Sequence, residues 1–188
     1  MSDEKTPLTI TSGGRQFVIR DAGPNDEADL LVLFRACEDY FEAATGLPSG
    51  PGDVQSLFYS LPDGADWDDK HILVVVDEAG STAGLVEAVL GYPAPGTCSV
   101  GLFLLHPDLR GAGLGSRLAV TLLHSVAARG ASRVTATVPL GWEQGERFVA
   151  SHGFTSTGQP SRRPQIGNRQ AGPREPVLNR VALLLPST

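Results

Sequence analysis

Leu114, Leu118, Leu122 and Val126 recur every four residues, while the segments on either side of them read as strands. That spacing lays one apolar stripe along a helix, which Gly130 ends. Before the helix, Cys98 to Leu105 is an apolar strand; after it, Arg133 to Val138 alternates like another. A strand, a helix and a strand in succession make the two strands parallel, because the crossover is too long for a hairpin.

The remaining segments surround this unit. Gln16 to Arg20 reads as a first strand. Pro24, Asn25 and Asp26 open a helix carrying Leu30, Leu31, Leu33, Phe34 and Cys37 at helical spacing, which the glycines and prolines of residues 45–51 must break. A short helix over Asp53 to Ser60 leads into an acidic loop through Asp69. His71 to Val76 and Ala83 to Gly91 form an antiparallel hairpin around Asp77-Glu78-Ala79-Gly80-Ser81. Trp142 to His152 is a shorter helix closed by Gly153, and Phe154 begins a further strand. Residues 158–176, with four prolines and four arginines, read as a long loop before a last strand, Val177 to Leu185. The sum is an α/β (α+β) fold: a mixed, mostly antiparallel central sheet of about six to seven strands, with helices on both faces.

At 188 residues the chain has room for one domain, placed at residues 15–188 behind an N-terminal tail over residues 1–14. No apolar run approaches the roughly 18 residues of a membrane span, and Met1 to Pro7 has no signal-peptide character, so a cytoplasmic protein without membrane contact is expected. Cys37 and Cys98 cannot build a disulfide framework, and no Cys/His cluster suggests a metal. The net charge of −6 argues against nucleic acid as a partner. The charge is divided along the chain. Residues 21–87 hold 15 acids against Arg35 and Lys70, whereas residues 110–180 hold ten arginines against Glu143, Glu146 and Glu175. Such a chain could hold an anionic ligand with its second half and attract a cation with its first; alternatively both sets are solvated faces.

The segment from Leu104 to Leu118 carries the chemistry. A strand ends at His106-Pro107, a helix begins near Gly113, and Arg110, Gly111, Gly113 and Gly115 lie at the junction. Glycines let a ligand approach the backbone, and free amides at a helix start favour phosphate. The site should bind a pyrophosphate, with Arg110 as a planar cation for its oxygens. A dinucleotide fingerprint does not fit, since Ser116 occupies its third glycine position and the turn follows the fourth strand rather than the first; a nicotinamide-dependent oxidoreductase would rest on the glycine turn alone. A P-loop would need Gly-Lys-Ser/Thr, which is missing.

The pattern present is Arg-x-x-Gly-x-Gly, Arg110 to Gly115, after a Leu-Leu-x-Pro strand end. It resembles the signature of the GNAT N-acetyltransferase superfamily. The order of elements over roughly residues 15–186 is similar to the whole domain of that family, and Phe148 to Phe154 resembles its aromatic-x-x-x-x-Gly-Phe block. The resemblance implies acetyl-CoA (coenzyme A) as cofactor. Its pantetheine arm would lie between the fourth and fifth strands and pair with the backbone of Leu104 and Leu105. The turn formed by Arg110, Gly111, Ala112, Gly113, Leu114, Gly115 and Ser116 would cradle the pyrophosphate. The first long helix, ending in Asp39, Tyr40 and Glu42, would wall the acceptor pocket.

The chain departs from the family at the catalytic positions. Trp142 stands where many members have Asn, and Val149 where many have the Tyr that protonates the departing thiolate. The fourth strand, unlike that of some relatives, offers no Glu. The substitute as general base is Glu87, in the apolar run Gly84 to Leu90, where a carboxylate faces a polar cleft or a partner, or else the exposed side of a half-buried strand. Weaker candidates are His106, His152, Cys98, Trp67 with Asp66, Asp68 and Asp69, and Arg162, Arg163, Arg169 and Arg174 in the last loop. The expected activity is transfer of acetyl to a primary amine, on a small molecule or a protein, by a monomer or homodimer. The rival is an acetyl-CoA-binding regulatory or sensing domain without turnover.

Overall fold

The computed structural model describes residues 7–161 and 176–186. Its first strand, β1 (Leu8–Ser12), lies within the segment expected to be a tail. β1 pairs antiparallel with β2 (Arg15–Asp21) around Gly13 and Gly14, both at positive φ, the backbone that a two-residue hairpin turn demands. Ile10 and Ser12 point inward and are buried, so the expectation of a tail is corrected over residues 8–14.

Helix α1 (Glu27–Ala36) stops at Cys37, and α2 (Glu38–Thr45) starts anew after it. The sequence predicts one continuous helix, ending in Asp39, Tyr40 and Glu42, before the glycines and prolines of residues 45–51 break it. The break comes where the Cys37 amide turns to the carbonyls of both Leu33 and Phe34, and the thiol donates to the carbonyl of Leu105 at 3.3 Å. Helix α3 (Pro51–Tyr59) follows, then β3 (Lys70–Asp77), β4 (Thr82–Leu90) and β5 (Thr97–Leu105) as an antiparallel meander. Helix α4 (Leu114–Ala128) crosses over to β6 (Arg133–Pro139), which runs parallel to β5. Helix α5 (Glu143–Ser151) and strands β7 (Thr155–Ser161) and β8 (Leu178–Leu184) complete the described chain. The sheet order is β1-β2-β3-β4-β5-β6-β8-β7, eight strands in place of six or seven, with β1 accounting for the extra one.

Alternation along β4 explains the two cores. Leu85 faces α1, α2 and α3 with Leu33, Phe34, Phe41, Leu102 and Leu104, whereas Val86 faces α4 with Phe17, Val75, Leu105 and Leu118. Each fully buried Leu or Phe contributes about 1.5–3 kcal/mol. Among the described residues no helix is long and apolar enough to cross a membrane.

Two irregularities of β5 position the site. Glu87 pairs with Leu102 and Ala88 with Val100, so Gly101 is a bulge residue without a β4 partner. The parallel pairing of β5 with β6 ends at Val100 and Ala136. Beyond that point the strands part, and residues 101–105 of β5 border an open wedge.

Candidate active site

A groove of about 720 Å³ passes through this wedge. At its mouth the chain leaves β5, makes a short turn over Pro107–Leu109, and enters α4 through Gly111 and Gly113, at φ +77° and +87°. The opening amides of an α-helix have no acceptor within it. Here the first intrahelical bond is from the Arg117 amide to the Gly113 carbonyl, at 3.1 Å. The amides at positions 113–116 thus point out of the helix start, where its dipole is positive. The spacing of the motif has a packing reason as well. A β-carbon at Gly115 would lie 3.2 Å from side-chain atoms of both Leu105 and Phe148, so the helix start sits tightly between β5 and α5. Ser12 fastens the turn to β1 through the Ala112 carbonyl, at 3.3 Å. Gly111, Ala112, Gly113, Leu114, Gly115 and Ser116 together form this turn and helix start.

Arg110 has another employment. Its guanidinium binds Asp39 through two nitrogens, at 2.6 and 3.2 Å, and its Nε donates to the Leu105 carbonyl at 3.0 Å. Burial is the largest single effect and opposes the Arg110 charge, but the hydrogen bonds and charges of Asp39 and Cys37 together outweigh it and raise the pKa. The side chain is therefore committed to the end of β5 rather than held free for phosphate. Burial likewise pushes the Cys37 thiol up, with Arg110 acting against it.

Strand geometry also revises the expected backbone contacts. The His106 amide bonds to the Ala83 carbonyl, so alternate residues Leu104 and Leu102 direct their polar backbone groups toward β4. Phe103 and Leu105 direct theirs toward the wedge. Leu104 is thus paired with Leu85 rather than available, and the Leu105 carbonyl already accepts from Cys37 and Arg110. The groups left to meet an extended ligand are the amide of Leu105 and the amide and carbonyl of Phe103. Sequence reasoning misses Phe103; only the register with β4 identifies it.

The three residues expected around the acceptor separate. Asp39 pairs with Arg110, Glu42 is exposed, and Tyr40 is buried in the groove wall with its ring 5.5 Å from that of Trp142. Trp142 and Val149 both line the groove, as does Phe148, whose ring stacks between Phe103 at 5.3 Å and His152 at 4.6 Å. His106 caps the turn by accepting the Asp108 amide, and Asp66 caps another by accepting that of Asp68. Cys98 is buried, and desolvation pushes its thiol up to about 11. Arg162, Arg163, Arg169 and Arg174 lie outside the described residues.

Glu87 is on the α1–α3 side of the sheet and does not line the groove. Its Oε1 is 3.6 Å from Lys70 Nζ, and its Oε2 occupies the space that any side chain at Gly101 would need. Lys70 donates to the Ser60 carbonyl and stands over the Trp67 ring at 5.7 Å. With its side chain only 4% exposed, burial draws the Lys70 pKa down, against the pull of Glu87. Gly101, which this carboxylate approaches, itself lines the groove.

Among the described residues the site is a mixed sheet split at its one parallel pair, with a glycine-rich helix start at the split. The family model for the acetyltransferase (GNAT) family matches residues 35–154, and the chain belongs to that family. Among curated proteins no sequence matches it. Three solved structures show the same fold. An acetyltransferase from Thermus thermophilus is 19% identical, with a TM-score of 0.66 over 95% of this chain and 100% of that one. Ribosomal-protein-alanine N-acetyltransferase from Brucella melitensis is 19% identical, with a TM-score of 0.64 over 89% and 99%. Spermidine N-acetyltransferase from Vibrio cholerae, in complex with CoA and spermine, is 15% identical, with a TM-score of 0.64 over 89% and 95%.

Proposed function

We propose that the protein transfers an acyl group from a coenzyme A thioester, acetyl-CoA in the simplest case, to a primary amine within a ternary complex. The observation that carries this reading is the wedge between β5 and β6 ending on the amide cradle of residues 111–116. The thioester supplies the acyl carbon: the amine nitrogen bonds to it, its bond to sulfur breaks, and coenzyme A leaves as the thiolate. The chain's part is to hold and to polarise. The cradle amides hold the pyrophosphate, and the Phe103 carbonyl and amide align the pantetheine arm. The Leu105 amide faces the carbonyl oxygen as negative charge develops on it. Val149 can give no proton to the leaving sulfur, but a thiolate with a conjugate pKa near 8.5 leaves without one.

The attacking amine must be neutral, and free alkylammonium groups titrate near 10. Glu87, behind Gly101 on the face opposite α4, is the carboxylate we assign to accept its proton, through water. The acidic balance of residues 21–87, which supply α1–α3, supports a cationic acceptor, as does the polyamine named for the Vibrio relative. A second reading, a thioester-binding domain without turnover, draws on Val149 and on the Lys70–Glu87 pair.

Thermal unfolding with and without acetyl-CoA tests the cofactor. Ligand at a hundred times its Kd adds about 2.7 kcal/mol, an easily measured rise in Tm. Amine-dependent release of free thiol then separates the two readings: release with any polyamine or peptide amine supports transfer, and binding without release from every amine supports the second.

A further inference from the structure

The groove is lined in part by residues of α4 and of the sheet beneath it. In the register of the sheet His71 stands opposite Ala88, Ala88 opposite Val100, and Val100 opposite Ala136, one straight row across β3, β4, β5 and β6. These are central strands on the face that α4 covers, yet every residue of the row is only half-buried. Helix α4 shows why. Leu118 is fully buried against the sheet, whereas Leu122 and Val126, one and two turns further along the same stripe, are half-buried. Leu122 still packs on the core below Leu118, whereas Val126 is outside that core, and both line the groove. Close-packed interiors do not leave such space between apolar surfaces without an occupant. The row and these helix residues line the same groove as the amide cradle, so the space is continuous with the wedge. Its far end is polar: Arg129, which ends α4, has Nη1 3.4 Å from His71 Nε2.

We propose that the space between the second half of α4 and the row His71–Ala88–Val100 takes the acyl chain of a coenzyme A thioester longer than acetyl. This rests on the reading of the wedge as a thioester cleft and extends it to the donor's substrate class. The pairing of β5 with β6 ends at Val100, so a chain attached to a thioester in the wedge begins at one end of the row. From Val100 to His71 is two strand spacings, about 10 Å, the length of an unbranched chain of about six to eight carbons. Ala88, in the middle of the floor, has the small side chain that leaves the passage open. A longer chain runs against Arg129 and His71.

The Kd values of CoA, acetyl-CoA, hexanoyl-CoA and dodecanoyl-CoA for the whole protein test this. Each methylene withdrawn from water raises affinity about fourfold, so hexanoyl-CoA should bind at least about tenfold more tightly than acetyl-CoA, with no further gain for dodecanoyl-CoA. Ala88→Phe, which closes the passage away from the cradle, should erase that gain and leave acetyl-CoA binding within about twofold of wild type. The wild-type series stands without the variant should Ala88→Phe fail to fold. Equal affinities for acetyl-CoA and hexanoyl-CoA in the wild type would overturn the assignment and indicate that another part of the chain fills the space. Binding of no thioester would overturn the cleft reading itself, a different failure with a different signature.

Discussion

Asp39 holds Arg110 from 71 residues away, joining the first turn of α2 to the residue that opens the glycine turn. Asp39 is 42% exposed, so the ion pair by itself contributes less than about 1 kcal/mol. Arg110→Ala also strips the Leu105 carbonyl of its Nε donor, and a loss of about 1–2 kcal/mol is expected in urea unfolding. Since the guanidinium faces Asp39 and not the cradle, the same variant should weaken acetyl-CoA binding by less than about tenfold, or 1.4 kcal/mol. A larger loss of affinity with little loss of stability would show that Arg110 leaves Asp39 for the phosphate when the ligand binds.

Gly115 should prove less replaceable than Arg110. The 3.2 Å approach of its absent β-carbon to Leu105 and Phe148 leaves no room for branches, so Gly115→Val must lift the start of α4 from the sheet. Because the amides that bind the anion travel with that helix start, the Kd for acetyl-CoA should rise by at least about tenfold, or 1.4 kcal/mol. Gly113→Ala meets no neighbour closer than 4.0 Å but must adopt φ +87°, at a cost of about 1–2 kcal/mol. Calorimetric titration and a melting curve on each variant separate the two effects.

What could be read from the sequence was local. The four-residue apolar spacing of α4 and the glycine turn before it are contained within about 20 residues, and the structure keeps both. The helix break at Cys37 coincides with the thiol's hydrogen bond to the Leu105 carbonyl, 68 residues distant, a contact that the residues around Cys37 do not signal. Choosing Phe103 over Leu104 as the ligand-facing backbone needs the register with β4, which the bulge at Gly101 sets. Strand β1 is a different case. Leu8 and Ile10 alternate with threonines and Gly13-Gly14 follows, a hairpin signal that is present in the sequence but stands beside the charged start of the chain, which reads as a tail.

The buried pair of Lys70 and Glu87 makes stability and catalysis respond differently to mutation. Lys70→Met leaves the Glu87 carboxylate half-buried without its cation and should cost about 3 kcal/mol; the double change to Met at both positions should recover most of it. Burial holds the Lys70 pKa below its unfolded value, so the folded state gives up this proton first. Wild-type stability therefore rises with pH toward about 10.4, and Lys70→Met should lack that rise. Glu87→Gln should slow acyl transfer by about 100-fold, the lower range for a lost general base, while the Kd for acetyl-CoA stays within about twofold. An unchanged rate would remove Glu87 from the chemistry and leave it a support for the Gly101 bulge.

Acid sensitivity should have its own centre, at the entrance to α1. Asp26 accepts both terminal nitrogens of Arg20, at 2.9 and 2.7 Å, and also the Gly23 amide at 2.7 Å, so one carboxylate ties β2 to the helix start. The Arg20 hydrogen bond holds its pKa below the ordinary carboxylate value, against the smaller effect of burial, with the Gly23 amide adding to the depression. A lowered folded-state pKa means that the stabilisation is complete above the unfolded value near 3.9 and disappears as pH falls through the folded one. Arg20 is 42% exposed, and solvent screening keeps the contribution to about 1 kcal/mol. Asp26→Asn should thus unfold at lower urea than wild type at pH 7, and the two midpoints should converge as the pH falls through the lowered folded-state pKa of Asp26. Midpoints separated by the same amount above and below that pKa would mean that the geometry of the cap, and not its charge, is what Asp26 supplies.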